Sequence, residues 1–449
     1  MSRLEAVILV IAAAAAALRW GGFAAPLAPA VAVVVLVGVF AVALALNPWR
    51  WPLAPVGVLV VVLGVMTVAG AETAGLTRHL ALVGALALVA LSAALTAGFP
   101  VRPLAAPSGP YAVGVVGLDM ERPAVGDDGG MRRLRITVWY PAASGAEAFP
   151  REPLWGEFQE PGGFPAPLRL LTRYLCAVPT HSRRGAPAAP GDAPPPLLVY
   201  SHSLISIASE NTLLMEELAS RGCVVASLRH RDQLAEQAAV RAGVPADETA
   251  RDRAIQARLA GPLDRAERAA LSAELFRTST GTSQIVARRA GDACAVVDRI
   301  AEVFAAIPGW GQGGRPPPDR YGALGLSLGG AVATRLSAED PRCAAAASLD
   351  GGLYGVVDLA AVRGPYLMLY SEGNVGGVDA LRDAAAASGA TFEEHAFAGA
   401  AHLDFHDAHA ALPALRWLGA LGRPRDAGFA TRKHAVVADF FDRTLAARR

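Results

Sequence analysis

Hydrophobic and polar positions follow two unlike patterns along this chain. Up to residue 100 the apolar residues run almost without a break, and the only Asp, Glu, Lys or Arg side chains are Arg3, Glu5, Arg19, Arg50, Glu72 and Arg78. Four apolar stretches emerge, residues 4–18, 30–46, 53–70 and 80–99, each near the length that carries a helix across about 30 Å of hydrocarbon. Trp20, Trp49 and Trp51 fall at their ends, where amphipathic rings meet a membrane interface. The first stretch is expected to be an anchor rather than a cleaved signal peptide, because more apolar chain follows it directly. Gly38, Gly57, Gly64 and Gly84 would allow close helix packing. No ionisable residue sits deep in a stretch to mark a transport path. An even number of spans puts the N-terminus and the rest of the chain on one side. Arg3, Arg50 and Arg102 on one face against Arg19 and Arg78 on the other leave that side undecided.

From about residue 101 the pattern changes to short apolar runs bounded by turn residues. Runs at 134–138, 197–200, 223–228, 344–349, 366–370 and 392–397 read as strands, with helical segments between several of them. Strand alternating with helix predicts an α/β fold with a mostly parallel sheet. A helix over about 283–306 carries Val296, Val297, Ile300 and Phe304 on one face, as a helix covering a sheet would. The alanine-rich, charged stretch 233–283, broken at Gly243-Val244-Pro245 and Gly261-Pro262, reads as two or three short helices inserted over the sheet as a lid or pocket wall. Residues 153–177 hold Trp155, Phe158, Phe164, Leu170, Leu171 and Tyr174, which suit an acyl pocket, a lipid contact or a loop packed on the core.

Candidate chemistry centres on Gly325-Leu326-Ser327-Leu328-Gly329-Gly330, which follows a buried strand and opens a helix over about 328–338. A nucleophilic serine on a sharp strand-to-helix turn needs glycine two residues to either side, because side chains there would collide across the turn. Helix amides at that point would stabilise a developing oxyanion. The partners expected downstream are an acid on a loop after a later strand, then a histidine. Asp350, at the end of the apolar run 344–349, is the candidate acid, with Asp358 and Asp379 as rivals. His402, after Gly399-Ala400-Ala401, is the candidate base, with His406 and His409 nearby. Upstream, the run 197–200 ends in Ser201-His202-Ser203-Leu204, the place from which a second oxyanion amide comes. Backbone amides of Leu204 and Leu328 are therefore the candidate oxyanion donors. No His-Glu-x-x-His and no cysteine pair supports a metal site, and no cofactor is expected.

In order along the chain, these residues resemble the secreted-type platelet-activating factor acetylhydrolases and their bacterial relatives among the dienelactone-hydrolase-like α/β-hydrolases. The resemblance covers roughly residues 109–410. It rests on Gly109-Pro110-Tyr111-Ala112-Val113-Gly114, Trp139-Tyr140-Pro141, Ser201-His202, His230-Arg231-Asp232, the Ser327 turn, Leu349-Asp350, Ser371-Glu372 and the His402 loop. It implies Ser327 as nucleophile, Asp350 as acid, His402 as base and Leu204 and Leu328 as oxyanion amides. Leu326 and Ser203 depart from the family's histidine before the nucleophile and glycine after Ser-His. The second departure puts a bulkier Leu204-Ile205 in the oxyanion loop, so substrate choice does not carry over.

Composition adds limits. A net charge of +1 with no basic stripe excludes a nucleic-acid surface, and the single lysine, Lys433, stands against forty arginines. Cys176, Cys223, Cys294 and Cys343 show no paired spacing and read as small buried hydrophobes, with a pairing of two of them in an oxidising compartment as the alternative. The expectation is a transmembrane helical anchor over 1–100 followed by an α/β-hydrolase domain over 101–449. In function this is a multi-pass protein of a bacterial cell membrane that hydrolyses small-molecule or lipid carboxylic esters through an acyl-enzyme. Polymer or lactone esters are a variant of the same chemistry. The alternative is a silent hydrolase-like domain that binds a ligand or partner.

Overall fold

The computed structural model describes residues 2–21, 28–123, 130–160, 164–230, 238, 240–310, 316–356, 358–362, 364–426 and 428–446. Arg231, Asp232, residues 233–237 of the expected insert and residues 311–315 lie outside that set. The chain divides into two compact units. One comprises Met1–Leu104, Phe158–Pro179 and Ala408–Gly419, and the other comprises Ala105–Glu157, Thr180–Asp407 and Ala420–Arg449.

In the first unit four helices form a bundle: α1 (Arg3–Trp20), α2 (Ala28–Leu46), α3 (Ala54–Val68) and α4 (Gly75–Gly98). Ser2 starts α1 with a reciprocal capping box to Glu5, which satisfies amides that the first turn leaves open. The bundle core is built from side chains such as Ile8, Ala12, Leu36, Val56, Leu59 and Leu63. Valines on the outer faces of α2 and α3 stay exposed, Val34 by 70 % and Val61 by 64 %. Among the described residues, three helical segments are long and apolar enough to cross a membrane: Ala28–Leu46, Trp51–Val68 and Gly75–Gly98. The fourth expected span, α1, is not among them. Its 18 residues include Arg3, Glu5 and Arg19, and it instead turns Ile8, Ala12, Ala15 and Ala16, all fully buried, into the bundle.

The second unit is a ten-stranded sheet in the order β10-β9-β8-β7-β5-β6-β2-β1-β4-β3. Its strands are β1 (Ala112–Pro123), β2 (Met131–Ala142), β3 (Arg151–Pro153), β4 (Pro179–Arg184), β5 (Leu197–Ser201), β6 (Val224–His230), β7 (Tyr321–Leu326), β8 (Cys343–Leu349), β9 (Tyr366–Ser371) and β10 (Phe392–Phe397). From β6 through β10 every neighbouring pair is parallel, while β2 runs antiparallel to both β6 and β1. Parallel strands buried on both faces need near-continuous apolar runs, and β5, β6, β7, β8 and β9 are buried at every position. Alternate residues feed opposite cores. In β9, Tyr366, Met368 and Tyr370 face one cluster, and Leu367 and Leu369 face the other.

Helices cover both faces. Introduced in chain order, they are α5 (Thr212–Ser220), α6 (Ala246–Leu259), α7 (Arg265–Thr278), α8 (Thr280–Asp298), α9 (Leu328–Glu339), α10 (Asp379–Ser388) and α11 (Phe429–Ala446). One core joins α8 and α9 to the sheet through Val286, Ala293, Val296, Val332 and Leu336. The opposite core uses Leu214 and Leu218 of α5 with Val437, Phe440 and Phe441 of α11. The single helix expected over about 283–306 is two, because Arg299 leaves helical geometry at φ −112°, ψ 31° before Ile300–Ala305 resumes. The cysteines are all free; Cys223 and Cys343 are buried, as expected, but Cys176 and Cys294 are only partly so.

Candidate functional site

The carboxyl ends of the parallel strands all open on one edge of the sheet, where an open α/β sheet places its ligands. β7 ends at Leu326, and Ser327 follows in a backbone conformation (φ 57°, ψ −117°) that L-residues rarely adopt. The flanking glycines are required by close approach. A Cβ on Gly325 would come within 2.1 Å of the Gly329 carbonyl oxygen, and one on Gly329 within 1.8 Å of the Ser201 oxygen. The Gly330 amide donates to the Ser327 carbonyl (2.9 Å), so the Leu328 amide precedes the first bonded turn of α9 and has no intrahelical acceptor.

Asp350 follows β8, also with positive φ (49°), and is 6 % exposed. Its carboxylate accepts from the Ser371 amide (2.7 Å) and the Ser371 hydroxyl (3.0 Å) at the end of β9. The oxygen that meets the hydroxyl also faces Nδ1 of His402 at 2.6 Å. Burial lowers the affinity of the His402 imidazole for a proton, but the hydrogen bond and charge of Asp350 outweigh it and leave the pKa above its ordinary value. The ring is held at Nδ1 while 47 % of the side chain stays exposed. Ser327, Leu328, Asp350, His402 and Leu204 all line one cavity of about 1020 Å³.

The rival residues are engaged elsewhere. Asp358 caps the short turn Leu359–Ala361 by accepting from the Ala360 amide (2.9 Å), and Asp379 pairs with Arg265 and Arg382. His406 lies edge-on to Trp155 (5.0 Å between centroids) with Nε2 3.7 Å from Glu210, while His409 belongs to the helical unit.

Two buried side chains that the sequence reading missed shape the loop after β5. Arg289 of α8, fully buried, donates to the carbonyl oxygens of His202 (2.8 Å), Ser203 (3.1 Å) and Leu204 (2.8 Å). Three consecutive carbonyls turned toward one guanidinium set the direction of the intervening amides. Glu210 holds the same loop from the other side, accepting from the Ser203 amide (2.9 Å), the Ser203 hydroxyl (2.6 Å) and Tyr200. Burial pushes the Glu210 carboxyl up in pKa, against the pull of those donors. His202 is driven well below its usual value by burial and then by the Arg289 charge, which keeps the ring neutral. A signal for Arg289 was present: it occupies the apolar stripe of α8, with Val286 and Ala290 beside it.

The loop of His402 has its own anchors. Asp404 accepts from the Ala401 (2.9 Å) and Gly422 (2.7 Å) amides, and the fully buried Lys433 of α11 donates to the Asp404 carbonyl (3.1 Å). Burial draws the Lys433 amine down to about 8, opposed by the charges of Asp407 and Asp404.

The cavity is roofed by the expected insert. Gln256 and Leu259 of α6 and Ser272, Leu275 and Phe276 of α7 line it, with Tyr354 edge-on to Phe276 at 4.7 Å. Residues 153–177, one reading of which was an acyl pocket, contribute none of its lining among the described residues.

The topology agrees with a solved structure, a ferulic acid esterase from Streptomyces cinnamoneus, which matches with a TM-score of 0.51 over 77 % of this chain and 93 % of its own, at 23 % identity. A family model described as platelet-activating factor acetylhydrolase, isoform II, matches residues 98–263. The chain has an α/β-hydrolase fold and is similar to that family over the matched residues. The matched residues include the Arg289-bound loop but end before Ser327, Asp350 and His402. A puromycin-hydrolyzing peptidase of Mycobacterium tuberculosis is more distant: TM-score 0.39 and 14 % identity over 73 % of this chain and 40 % of its own. No curated protein matches the chain.

Proposed function

We propose that this α/β-hydrolase is a membrane-anchored serine hydrolase of carboxylic esters, with Ser327 as nucleophile, His402 as general base and Asp350 as its orienting acid. The observation that carries the reading is the 2.6 Å contact of Asp350 with His402 Nδ1, beside a cavity that both share with the strained Ser327. Nδ1 held by a carboxylate leaves Nε2 as the basic nitrogen. It takes the Ser327 hydroxyl proton as Oγ bonds to the ester carbonyl carbon, and charge develops on the carbonyl oxygen between the amides of Leu204 and Leu328. The tetrahedral adduct collapses, the ester C–O bond breaks, and the imidazolium returns the proton to the leaving alkoxide. Water, deprotonated by the same nitrogen, then releases the acid and restores Ser327.

The substrate is a small-molecule or lipid ester. A cavity walled by Leu259, Leu275, Phe276 and Tyr354 suits an apolar acyl or alkyl group. Three described helices suited to crossing a membrane support the anchor, and the proposed location is the bacterial cell membrane. The anchor over 1–100 and the hydrolase over 101–449 remain the proposed functional division, with residues 158–179 and 408–419 grouping structurally with the helices.

The test is a fluorophosphonate probe on the detergent-solubilised full chain, wild type beside Ser327→Ala. The expected result is one adduct, mapped to the Ser327 peptide and absent from the variant. A folded wild type that forms no adduct would favour the silent, ligand-binding alternative.

A further inference from the structure

Within the helical unit, both added segments join the bundle at the same end. Arg50 pairs with Glu5, which brings the start of α1 together with the turn between α2 and α3. At that end the Trp51 indole donates to the Leu171 carbonyl (2.9 Å), and the Arg173 guanidinium lies 3.8 Å over the Trp49 ring. Tyr174 stands edge-on to both Trp51 and Phe99. Trp417 packs so closely on the last turn of α4 that a Cβ on Gly98 would come within 2.6 Å of its ring.

These segments nevertheless leave large apolar side chains uncovered: Leu170 is 57 % exposed, Leu171 50 %, Trp417 62 % and Leu418 80 %. Scattered exposed leucines are ordinary, but four such side chains on two short segments meeting at one end of an apolar bundle are not. The charge on the same segments is mostly of one sign. Residues 158–179 and 408–419 contain Arg169, Arg173 and Arg416 against a single acid, Glu160. Leucine and tryptophan beside an excess of arginine is the composition of a surface lying among phospholipid headgroups.

We propose that residues 166–177 and 413–418 form an interfacial platform, which lays Leu170, Leu171, Trp417 and Leu418 into the headgroup–acyl boundary while the arginines meet lipid phosphates. The occupant is the bilayer itself, because these segments pack at the Trp51 and Gly98 ends of spans whose own valines, such as Val34 and Val61, stay exposed. The proposal rests on the reading of that bundle as membrane-spanning. The chain runs from His402 into the second segment within a dozen residues, so the loop of the candidate base is tethered to this platform along the backbone.

The test places single spin labels on the full chain in nanodiscs of phosphatidylcholine and phosphatidylglycerol, with Cys176 and Cys294 replaced by serine. Labels go at Leu170→Cys and Leu418→Cys, with Val34→Cys as a bilayer reference and Ala387→Cys as a solvent reference. Relaxation by oxygen is compared with relaxation by a water-soluble nickel chelate. The expected ratio at 170 and 418 lies between the references and several-fold above that at 387. If 170 and 418 match 387 while 34 reports lipid, the platform is wrong and the spans stand. A label at 34 that also reports water would overturn the spans and the platform together.

Discussion

The helical unit and the sheet unit both bury apolar surface, yet they use buried polar groups to different extents. In the bundle the core is apolar, a single buried ion pair, Arg50 with Glu5, sits at one end among the described residues, and other polar contacts tie helix to helix, as where the Ser92 hydroxyl accepts from the Val56 amide (3.0 Å). In the sheet unit, several charged groups are fully buried beside hydrogen-bonding partners: Arg289 under the loop after β5, Glu210 beside it, Lys433 against the Asp404 carbonyl behind the His402 loop, and Asp292 between His230 and two arginines. A bundle of helices packed on one another needs shape. A site that stabilises developing charge needs fixed dipoles, and fixing them takes buried partners whose desolvation is offset by several hydrogen bonds at once.

That contrast can be broken at graded cost. The largest effect is expected at Asp350. Asp350→Asn removes the charge that holds the His402 tautomer and should lower kcat by about four orders of magnitude, read in a nitrophenyl ester assay. The same variant sharpens the electrostatics. Because the His402 pKa is raised, wild-type kcat/KM should climb with pH through an ionisation above the ordinary imidazole value of about 6.5, as the base becomes neutral. In Asp350→Asn any residual activity should show that ionisation at lower pH. The stability sign is the reverse. The pairing of protonated His402 with Asp350 is fully present below the ordinary value and is lost as pH rises through the raised one.

Arg289→Met comes next. It leaves three carbonyls without their donor and frees the loop carrying the Leu204 amide, so kcat should fall by about 10²- to 10³-fold. KM should change little, and stability should drop by about 3 kcal/mol as the network is broken. A variant with lowered stability and unchanged kcat would make Arg289 a packing residue only. The smallest effect belongs to the bundle. Ser92→Ala should cost about 1 kcal/mol or less in unfolding of the detergent-solubilised chain, with ester turnover untouched. A large loss of turnover there would contradict the division of labour between the two units.

The sequence made the elbow legible because its steric demand is written in adjacent residues, and the close approaches at Gly325 and Gly329 are the physical form of that demand. The strands were legible for a similar reason, since 392–397 and the runs around 197–200, 344–349 and 366–370 are bounded by turn residues. Asp350 and His402 stood out through chain order and the turns beside them. Arg289 did not, because the carbonyls it holds lie more than eighty residues away and only the fold brings them near; Glu210 acts within its own loop, but nothing in its sequence neighbourhood shows that the carboxylate is turned inward. The fourth expected span, α1, is not among the helices apolar enough to cross a membrane: it carries Arg3, Glu5 and Arg19, and its alanines pack inside the bundle. The grouping of 158–179 and 408–419 with the helices left no periodic trace, since it depends on contacts of Trp51, Tyr174 and Trp417.

The central claim is a covalent acyl intermediate on Ser327, and rapid-quench mass spectrometry of the full chain with a 4-nitrophenyl ester tests it most directly. The account predicts a burst of about one nitrophenolate per protein with the acyl mass on the Ser327 peptide, and neither in Ser327→Ala. Turnover without a burst would leave the step unassigned only until Ser327→Ala is measured, and an acyl mass on another residue, or full turnover in that variant, would contradict the account.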